Sequence, residues 1–157
     1  MSDGLLIAII GAALAAILSG IGSAVGVQMG GRAAAGVLSE KPELFGRLII
    51  LQALPGTQGI YGFLTAIILS NRLGLLGGIA PQLTTSQGWL FFGACMPIAI
   101  VGFLSAIYQA RTAVSAIHMT AKQPKSSVGG MIMTAVVETY AILALLAGLL
   151  LIWNIPF

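Results

Sequence analysis

The chain has 157 residues, of which 58% are hydrophobic and only 7% are charged, and its mean hydropathy is +1.04. Soluble proteins carry roughly 25% charged residues, so this composition excludes a water-soluble protein and predicts an integral membrane protein. The net charge of +3 is interpreted as a signal of membrane topology rather than as affinity for nucleic acid.

Four apolar runs predict an all-α membrane protein with four transmembrane helices. The first run, residues 4–31, contains 28 residues without a charge, and about 20 residues suffice to cross the hydrocarbon core. The other three helices are expected at residues 44–71, 87–118 and 127–154.

Polar segments separate these helices. The proline-containing segments 39–43 and 121–125 predict short turns, and residues 72–86, which are rich in Gly, Thr and Pro, predict a longer loop. The four helices therefore form two hairpins.

The second helix is interrupted by Leu54-Pro55-Gly56-Thr57-Gln58-Gly59. Proline lacks an N–H group and clashes with the carbonyl four residues before it. The sequence therefore predicts a kink at Pro55 and a freed carbonyl at Leu51.

Glycines recur every four residues in the second half of the first helix, at Gly22, Gly26 and Gly30. Small residues at this spacing let two helix backbones approach closely in a membrane. We expect this row to be a helix-packing surface.

The two hairpins are an internal repeat. A shift of 82 residues places Pro42 on Pro124, and it also aligns Gly11 with Gly93, Gly20 with Gly102, Ser23 with Ser105 and Thr57 with Thr139. The predicted units are residues 1–76 and 77–157. Glu138 aligns with Gly56 in this register, so only the second hairpin has an acidic residue at this position.

Basic residues predict the orientation. Six of the seven flank the two short turns, and only Arg72 belongs to the opposite side; the six are Arg32, Lys41, Arg47, Arg111, Lys122 and Lys125. The positive-inside rule then places the turns in the cytoplasm, with both termini and the central loop outside. Arg111 and His118 are interpreted as anchors of helix ends.

Glu138 is the one carboxylate inside the fourth apolar run. The nearest charged residue before it is Lys125, and none follows it. Because a charge at bilayer depth costs at least a few kcal/mol, an intramembrane acid indicates a functional site. The alternative is a Glu that pairs with a buried polar group and merely joins two helices.

Three polar side chains are expected at one depth. At about 1.5 Å per residue, Gln58 lies about 26 Å past Lys41, and Glu138 and Gln109 lie about 24 Å and 20 Å from Lys122. On the second helix, Leu54, Thr57, Gln58 and Tyr61 share one face because their spacing is i, i+3, i+4, i+7.

Carboxylate, amide, hydroxyl and carbonyl oxygens are the ligands of a hard cation. One carboxylate balances one monovalent ion, whereas Ca²⁺ and Mg²⁺ usually require more negative charge. A proton would need little beyond Glu138. The additional polar residues therefore favour Na⁺ over H⁺, and the alternative role for the amides is interhelical hydrogen bonding.

The segments from Leu54 to Phe63 and from Val137 to Ala141, together with the tandem hairpins, resemble the membrane rotor-ring subunit of V-type ATPases. This subunit is the K subunit or proteolipid, and the bacterial sodium-pumping forms are the most similar. The resemblance covers essentially the whole chain.

The resemblance implies a closed homo-oligomeric ring in a bacterial plasma membrane, turned by ATP hydrolysis in a separate soluble sector. It implies Glu138, Thr57, Gln58, Gln109 and the Leu54 carbonyl as ion ligands, with Tyr61 holding Glu138. The Leu54 assignment differs from the Leu51 carbonyl expected from helix geometry. The chain itself would bind no nucleotide and carry no catalytic site. The implied partners are other copies, a stator subunit, lipid, and a central-stalk subunit at the cytoplasmic turns.

Two rival functions remain. One is a small secondary transporter for cations or drugs that depends on a single Glu. The other is a pore or scaffold built from the same ring, in which Glu138 would be dispensable. The 82-residue repeat with parallel hairpins favours a ring over the small carrier.

Overall fold

The computed structural model describes residues 2–78 and 81–157, and every regular element within these ranges is helical. The α-helices are α1 (Asp3–Leu38), α2 (Phe45–Ala53), α3 (Thr57–Arg72), α4 (Thr85–Lys122) and α5 (Ser127–Asn154). In this part of the chain, three helices are each long and apolar enough to cross a membrane: α1, α4 and the helix Pro124–Asn154. The predicted all-α membrane class is confirmed.

The second predicted span is not one continuous α-helix. It consists of α2 with 9 residues, a 3₁₀ turn at Leu54–Gly56, and α3 with 16 residues. Neither α-helix alone reaches the roughly 20 residues of a span, although the three segments follow one another without a gap. The predicted interruption at Pro55 is present, because a residue without an N–H group cannot continue the α-helical hydrogen-bond pattern.

Helix ends differ from the sequence prediction at three places. α1 continues past Gly31 to Leu38, and α4 continues past His118 to Lys122. α4 also begins at Thr85, inside the predicted loop 72–86, because Thr84 and Gln87 form a capping box at its N-terminus. Residues 79 and 80 of that predicted loop, and Met1, lie outside the described residues.

α1 runs antiparallel to α2 and α3. Near its C-terminal end Gly30 packs on Gln52 of α2, and further back the Ser23 hydroxyl accepts a 2.7 Å hydrogen bond from the Gly59 N–H of α3. α4 and α5 are antiparallel in the same way, since Gly130 packs on Ala116 and Gly148 on Ala94.

α1 and α4 run parallel and at nearly the same level. A Cβ atom added to Gly11 would lie 2.7 Å from the Phe92 Cα atom, and one added to Gly22 would lie 2.7 Å from the Phe103 Cα atom. Both pairs are 81 residues apart, one residue less than the repeat offset. Equivalent residues of the two halves therefore lie beside each other, with almost no shift along the helix axes.

Two apolar clusters fill the interior, one toward each end of the helices. Leu5, Phe91 and Ile152 belong to the cluster near the chain termini, and Leu48 and Ile117 belong to the cluster near the short turns. Several buried polar side chains lie along the helices between these clusters, among them Ser23, Gln58, Ser105, Gln109 and Thr134. The fold thus encloses a polar layer between two apolar ones.

Three basic side chains connect the two halves of the chain at the helix ends. The Lys41 Nζ atom donates a 2.6 Å hydrogen bond to the Ala121 carbonyl, and the Arg47 Nη1 atom donates one of 2.5 Å to the Pro124 carbonyl. At the other end, the Arg72 Nη2 atom donates to the Ile155 carbonyl at 2.7 Å. These side chains bind carbonyls at or beyond helix ends, where backbone donors are fewer.

Candidate functional site

α3 begins with the polar face that the sequence predicts. Gln58 is fully buried, whereas Thr57 and Tyr61 are partly buried. The 3₁₀ turn before α3 places the Leu54 carbonyl beside Thr57, whose backbone N–H and hydroxyl both donate to it, the hydroxyl at 2.9 Å. Leu54, Thr57, Gln58 and Tyr61 therefore lie together at the start of α3.

Glu138 lies on α5 and is partly buried. One carboxylate oxygen accepts a hydrogen bond from the Tyr61 hydroxyl, and the other accepts one from the Gln109 Nε2 atom at 3.4 Å. Both donors are neutral groups. Among the described residues, the hydrogen-bond partners of this carboxylate thus leave its negative charge unbalanced when it is ionised.

Gln58 and Gln109 join α3 to α4. Both side chains have no exposed surface, and the Gln58 Nε2 atom donates a 2.5 Å hydrogen bond to the Gln109 Oε1 atom. The Gln109 Nε2 atom also donates to the Thr134 carbonyl at 3.2 Å. A continuous set of hydrogen bonds therefore runs from Gln58 through Gln109 to Glu138.

The sequence reasoning missed Ser105. Its hydroxyl lies 3.5 Å from the Gln58 Nε2 atom and donates a 3.3 Å hydrogen bond to the Val137 carbonyl, next to Glu138. The 82-residue repeat could have indicated Ser105, because Ser105 is the counterpart of Ser23. Each serine uses its hydroxyl to bind the backbone of a neighbouring helix.

The glycine row of α1 packs within the chain. A Cβ atom on Gly26 would lie 2.7 Å from the Pro55 Cβ atom and 2.9 Å from the Ala106 carbonyl oxygen. Gly22 contacts the α4 backbone and Gly30 contacts α2. The row therefore lets α1 approach two helices closely, and it brings the Pro55 interruption against α4.

The atoms of this cluster are mostly oxygens. The oxygens comprise a carboxylate, two amide oxygens, the Thr57 and Tyr61 hydroxyls and a backbone carbonyl, and the two amide nitrogens act as donors within the cluster. Such oxygens suit a hard cation, and the set lacks the thiolate and imidazole ligands of transition metals. Within residues 2–78 and 81–157 there is no group of three or more His, Cys, Asp or Glu side chains that could hold a metal ion. A single carboxylate fits one monovalent cation or one proton.

Comparisons with known proteins identify the family. The family model for the C subunit of ATP synthase matches residues 10–69 and 92–151, two segments that begin 82 residues apart. The V-type sodium ATPase subunit K of Enterococcus hirae is 44% identical over 98% of this chain and 94% of its own length.

More distant relatives carry related names. The A-type ATP synthase subunit K of Methanocaldococcus jannaschii is 36% identical over 97% of this chain, which spans 64% of that relative. The V-type proton ATPase 16 kDa proteolipid subunit of Chrysotila carterae is 28% identical over 90% of this chain and 86% of its own length.

These findings confirm the resemblance to the V-type ATPase K subunit or proteolipid. The protein is a membrane component of such a complex rather than its catalytic subunit. Because the family model matches both halves and one relative is 44% identical over nearly the whole length, this chain belongs to the family of the ATP synthase C subunit.

Proposed function

We propose that this chain is the ion-carrying subunit of a V-type rotor ring and that each copy carries one Na⁺ bound at Glu138. The observation that carries the proposal is the hydrogen-bonded set Gln58–Gln109–Glu138, which joins the carboxylate of α5 to the buried amides of α3 and α4. A carboxylate with only neutral partners is expensive at bilayer depth, and a bound cation removes that cost.

The oxygen ligands support Na⁺ over H⁺. A proton needs one acceptor, which Glu138 supplies, whereas Na⁺ must exchange its water shell for several oxygens. The proposed ligands are the Leu54 carbonyl, Thr57, Gln58, Gln109 and Glu138. The relative with 44% identity is named as a sodium ATPase subunit, whereas several at 24–28% identity are named as proton ATPase subunits, so H⁺ is the alternative cargo.

Loading would change the partners of the amides. The Gln109 Oε1 atom accepts from Gln58, and it would exchange that donor for the ion. The Gln58 amide nitrogen would then donate to the Ser105 hydroxyl, which already lies at 3.5 Å. The Thr134 carbonyl would continue to accept from Gln109. Every buried polar group thereby keeps a partner, as burial requires.

Charge neutrality suggests why such a site suits a rotor. The loaded site contains one carboxylate and one monovalent ion, so its net charge is zero and it can pass along lipid. The empty site, with Glu138 ionised, retains a full negative charge. It is therefore stable only where water or an opposite charge is available. A ring with this property exchanges ions only at such positions, which a stator subunit would provide.

Assembly into a ring is supported by the level arrangement of α1 and α4. The proposed hairpins are residues 1–76 and 77–157, related by the 82-residue offset. Their first helices, α1 and α4, lie side by side with almost no axial shift. If the same rotation, without an axial shift, relates each unit to the next, successive units stay at one level in the membrane. A head-to-tail contact of this kind gives a ring when the successive rotations add up to a full turn.

The proposed orientation places the two short turns in the cytoplasm of a bacterial plasma membrane, with both termini outside. Lys122 and Lys125 are exposed at one turn, where a protein of the central stalk could bind. Lys41 and Arg47 bind carbonyls instead. A small secondary transporter and a non-transporting pore are the rival functions, and a closed ring seen in detergent would exclude the small carrier.

Carbodiimide labelling tests the ion assignment. The reagent modifies a protonated carboxyl, so labelling of Glu138 should fall as Na⁺ rises at fixed pH, and K⁺ at equal concentration should protect far less. Glu138→Gln gives the unlabelled control. Labelling that follows pH but ignores Na⁺ would assign the site to protons.

A further inference from the structure

α1 and α4 each contain one arginine, Arg32 and Arg111, and both side chains are exposed. Arg32 lies six residues before Leu38, the last residue of α1, and Arg111 lies eleven residues before Lys122, the last residue of α4. Only the last four carbonyls of a helix lack an intrahelical partner. Both arginines are therefore too far from the helix ends to anchor them, which corrects the role that the sequence suggested for Arg111.

Both arginines point away from α3 and α5. On α1, Ser23 binds α3, and Arg32 follows it by nine residues, which is two and a half turns and hence the opposite side of the helix. On α4, Gln109 binds both α3 and α5. His118 follows Gln109 by nine residues, and Arg111 precedes His118 by seven residues, or about two turns, so these two share the opposite side of α4.

Arg32 lies at a level between Arg111 and His118. Because α1 and α4 run parallel, and Gly22 meets Phe103, residues 81 positions apart are level. Arg32 is thus about 3 Å from the level of Arg111 and about 7.5 Å from the level of His118. Arg32, Arg111 and His118 therefore occupy a short stretch of one exposed surface, and we call these three residues the basic patch.

Neither arginine has a carboxylate within two helical turns along its own helix. Asp3 begins α1 at the opposite end, and Glu138 lies on α5, on the far side of the molecule. Glu40 and Glu43 lie in the turn after α1, with Glu40 eight residues past Arg32, or about 12 Å along the axis. Because an arginine at membrane depth is costly unless it is paired or hydrated, the basic patch favours an anion from outside the chain.

The surface next to the basic patch is apolar. Ile21 and Val25 lie eleven and seven residues before Arg32 on the same side of α1, and Ile100 lies eleven residues before Arg111 on the same side of α4. All three are exposed, at 48%, 41% and 53% respectively. The surface thus matches a molecule that has a negative group at one end and an apolar tail.

The depth of the patch suits a phospholipid headgroup. Residues 4–31 of α1 and 85–110 of α4 carry no charge, and they extend about 42 Å and about 39 Å, more than the roughly 30 Å of the hydrocarbon core. Both arginines thus reach beyond the core when the other end of each run lies at the opposite surface. Beside Arg32, Ala35 and Gly36 are small and exposed, which leaves room for a headgroup.

We infer that the basic patch binds the phosphate of an anionic phospholipid, whose acyl chains lie along Ile21, Val25 and Ile100. Arginine presents paired N–H groups that match phosphate oxygens, and the His118 imidazole supplies one further N–H donor. A soluble acidic peptide would satisfy the arginines but not the adjoining apolar surface. The inference goes beyond the proposed ion transport, because it uses no residue of the ion site and holds whichever ion that site carries.

Lipid titration tests this site. The purified full-length protein, in its native oligomeric state in a non-ionic detergent, is titrated with phosphatidylglycerol or phosphatidylcholine of identical acyl chains, and native mass spectrometry counts the bound lipid. Both lipids contain a phosphate, but only phosphatidylglycerol has a net negative charge. Because each arginine near an anionic lipid contributes about fivefold to binding, phosphatidylglycerol should bind about 25-fold more tightly.

Substitutions locate the preference. Arg111→Gln should weaken phosphatidylglycerol binding about fivefold, and adding Arg32→Gln should abolish the preference over phosphatidylcholine. The pair Arg32→Lys and Arg111→Lys keeps both charges and should retain most of the preference. Lys125→Gln removes an exposed charge outside the patch and should leave the affinity unchanged. Size-exclusion chromatography checks that each variant keeps the oligomeric state of the unmodified protein.

Competition on the unmodified protein needs no variant and distinguishes the possible ligands. Neither excess inorganic phosphate nor excess polyglutamate should displace phosphatidylglycerol, because neither contacts the apolar surface. Displacement by phosphate would assign the patch to free phosphate, and displacement by polyglutamate would assign it to an acidic peptide. Either result would overturn the lipid site.

Two further results would contradict the inference. One is equal affinity of the unmodified protein for the two lipids. The other is an equal loss of affinity in the Lys125 and Arg111 variants, which would indicate a diffuse attraction to the whole charged end of the molecule. Neither result affects the proposed Na⁺ site, because carbodiimide labelling of Glu138 tests that site separately.

Discussion

The Tyr61 hydroxyl of α3 donates a hydrogen bond to the Glu138 carboxylate of α5. The remaining carboxylate oxygen faces Gln109 of α4, so three helices fix the position of one acid. Tyr61 thus orients the acid without neutralising its charge, which leaves the charge available to a cation.

Replacing Tyr61 with Phe removes this hydrogen-bond donor and keeps the volume of the aromatic side chain. Hydrogen bonds to charged groups contribute about 1.5–3 kcal/mol, so half-protection of Glu138 from carbodiimide should require at least about tenfold more Na⁺. Tyr140→Phe makes the same chemical change two residues from Glu138 on an exposed side chain and should leave protection unchanged. Equal behaviour of the two variants would contradict a positioning role for Tyr61.

Glu138→Gln removes the charge that balances the ion but keeps the volume and an acceptor for Tyr61. Rings should assemble at normal yield, while ATP-driven Na⁺ uptake by membrane vesicles should fall to background. Glu43→Gln, at an exposed turn position, should retain uptake. Normal uptake by the Glu138 variant would eliminate the rotor-site proposal and favour the pore or scaffold.

Gln109→Leu separates an ion ligand from interhelical hydrogen bonding. The variant loses one oxygen ligand and leaves the Gln58 nitrogen without its 2.5 Å acceptor, while Glu138 keeps its charge. Protection by Na⁺ should weaken about tenfold or more, since one hydrogen bond or ligand of this kind contributes about 1.5 kcal/mol or more, and labelling should still depend on pH. Gln52→Leu on α2 should retain protection. If protection persists in the Gln109 variant while ring stability drops, the amide serves only to join helices.

Gly26→Leu should prevent the chain from packing. The added side chain would meet Pro55 and the Ala106 carbonyl at under 3 Å, and overpacking of this kind typically costs about 1–3 kcal/mol or more. We expect loss of folded protein in detergent extracts, measured by size-exclusion chromatography. Gly36→Leu lies on the same helix with open space around it, and its yield should be normal. A normal yield from the Gly26 variant would mean that α1 can move away from α4 at no cost.

The sequence alone indicated the membrane class, the helices and the layer of the candidate site. Lipid allows few arrangements of backbone, because unpaired N–H and C=O groups cannot be solvated there, so long apolar runs suffice to predict helices. The interruption at Pro55 is likewise a local effect, because proline lacks an N–H group. The capping box at Thr84 and Gln87 is also local, but the sequence analysis did not predict it and placed the start of α4 two residues too late. Counting residues from the turns also brought Gln58, Gln109 and Glu138 to one level, since helix rise is constant.

The tertiary structure decided which atoms in that layer meet. Spacing along a helix indicates the face of a side chain, but it does not determine whether an amide presents its oxygen or its nitrogen to a neighbouring helix. The Gln58–Gln109 hydrogen bond and the Ser105 contact with Val137 depend on how three helices pack together. Close glycine contacts of α1 with α3 and α4, and of α5 with α4, position these helices. Their distances follow from the shapes of both surfaces rather than from either segment alone.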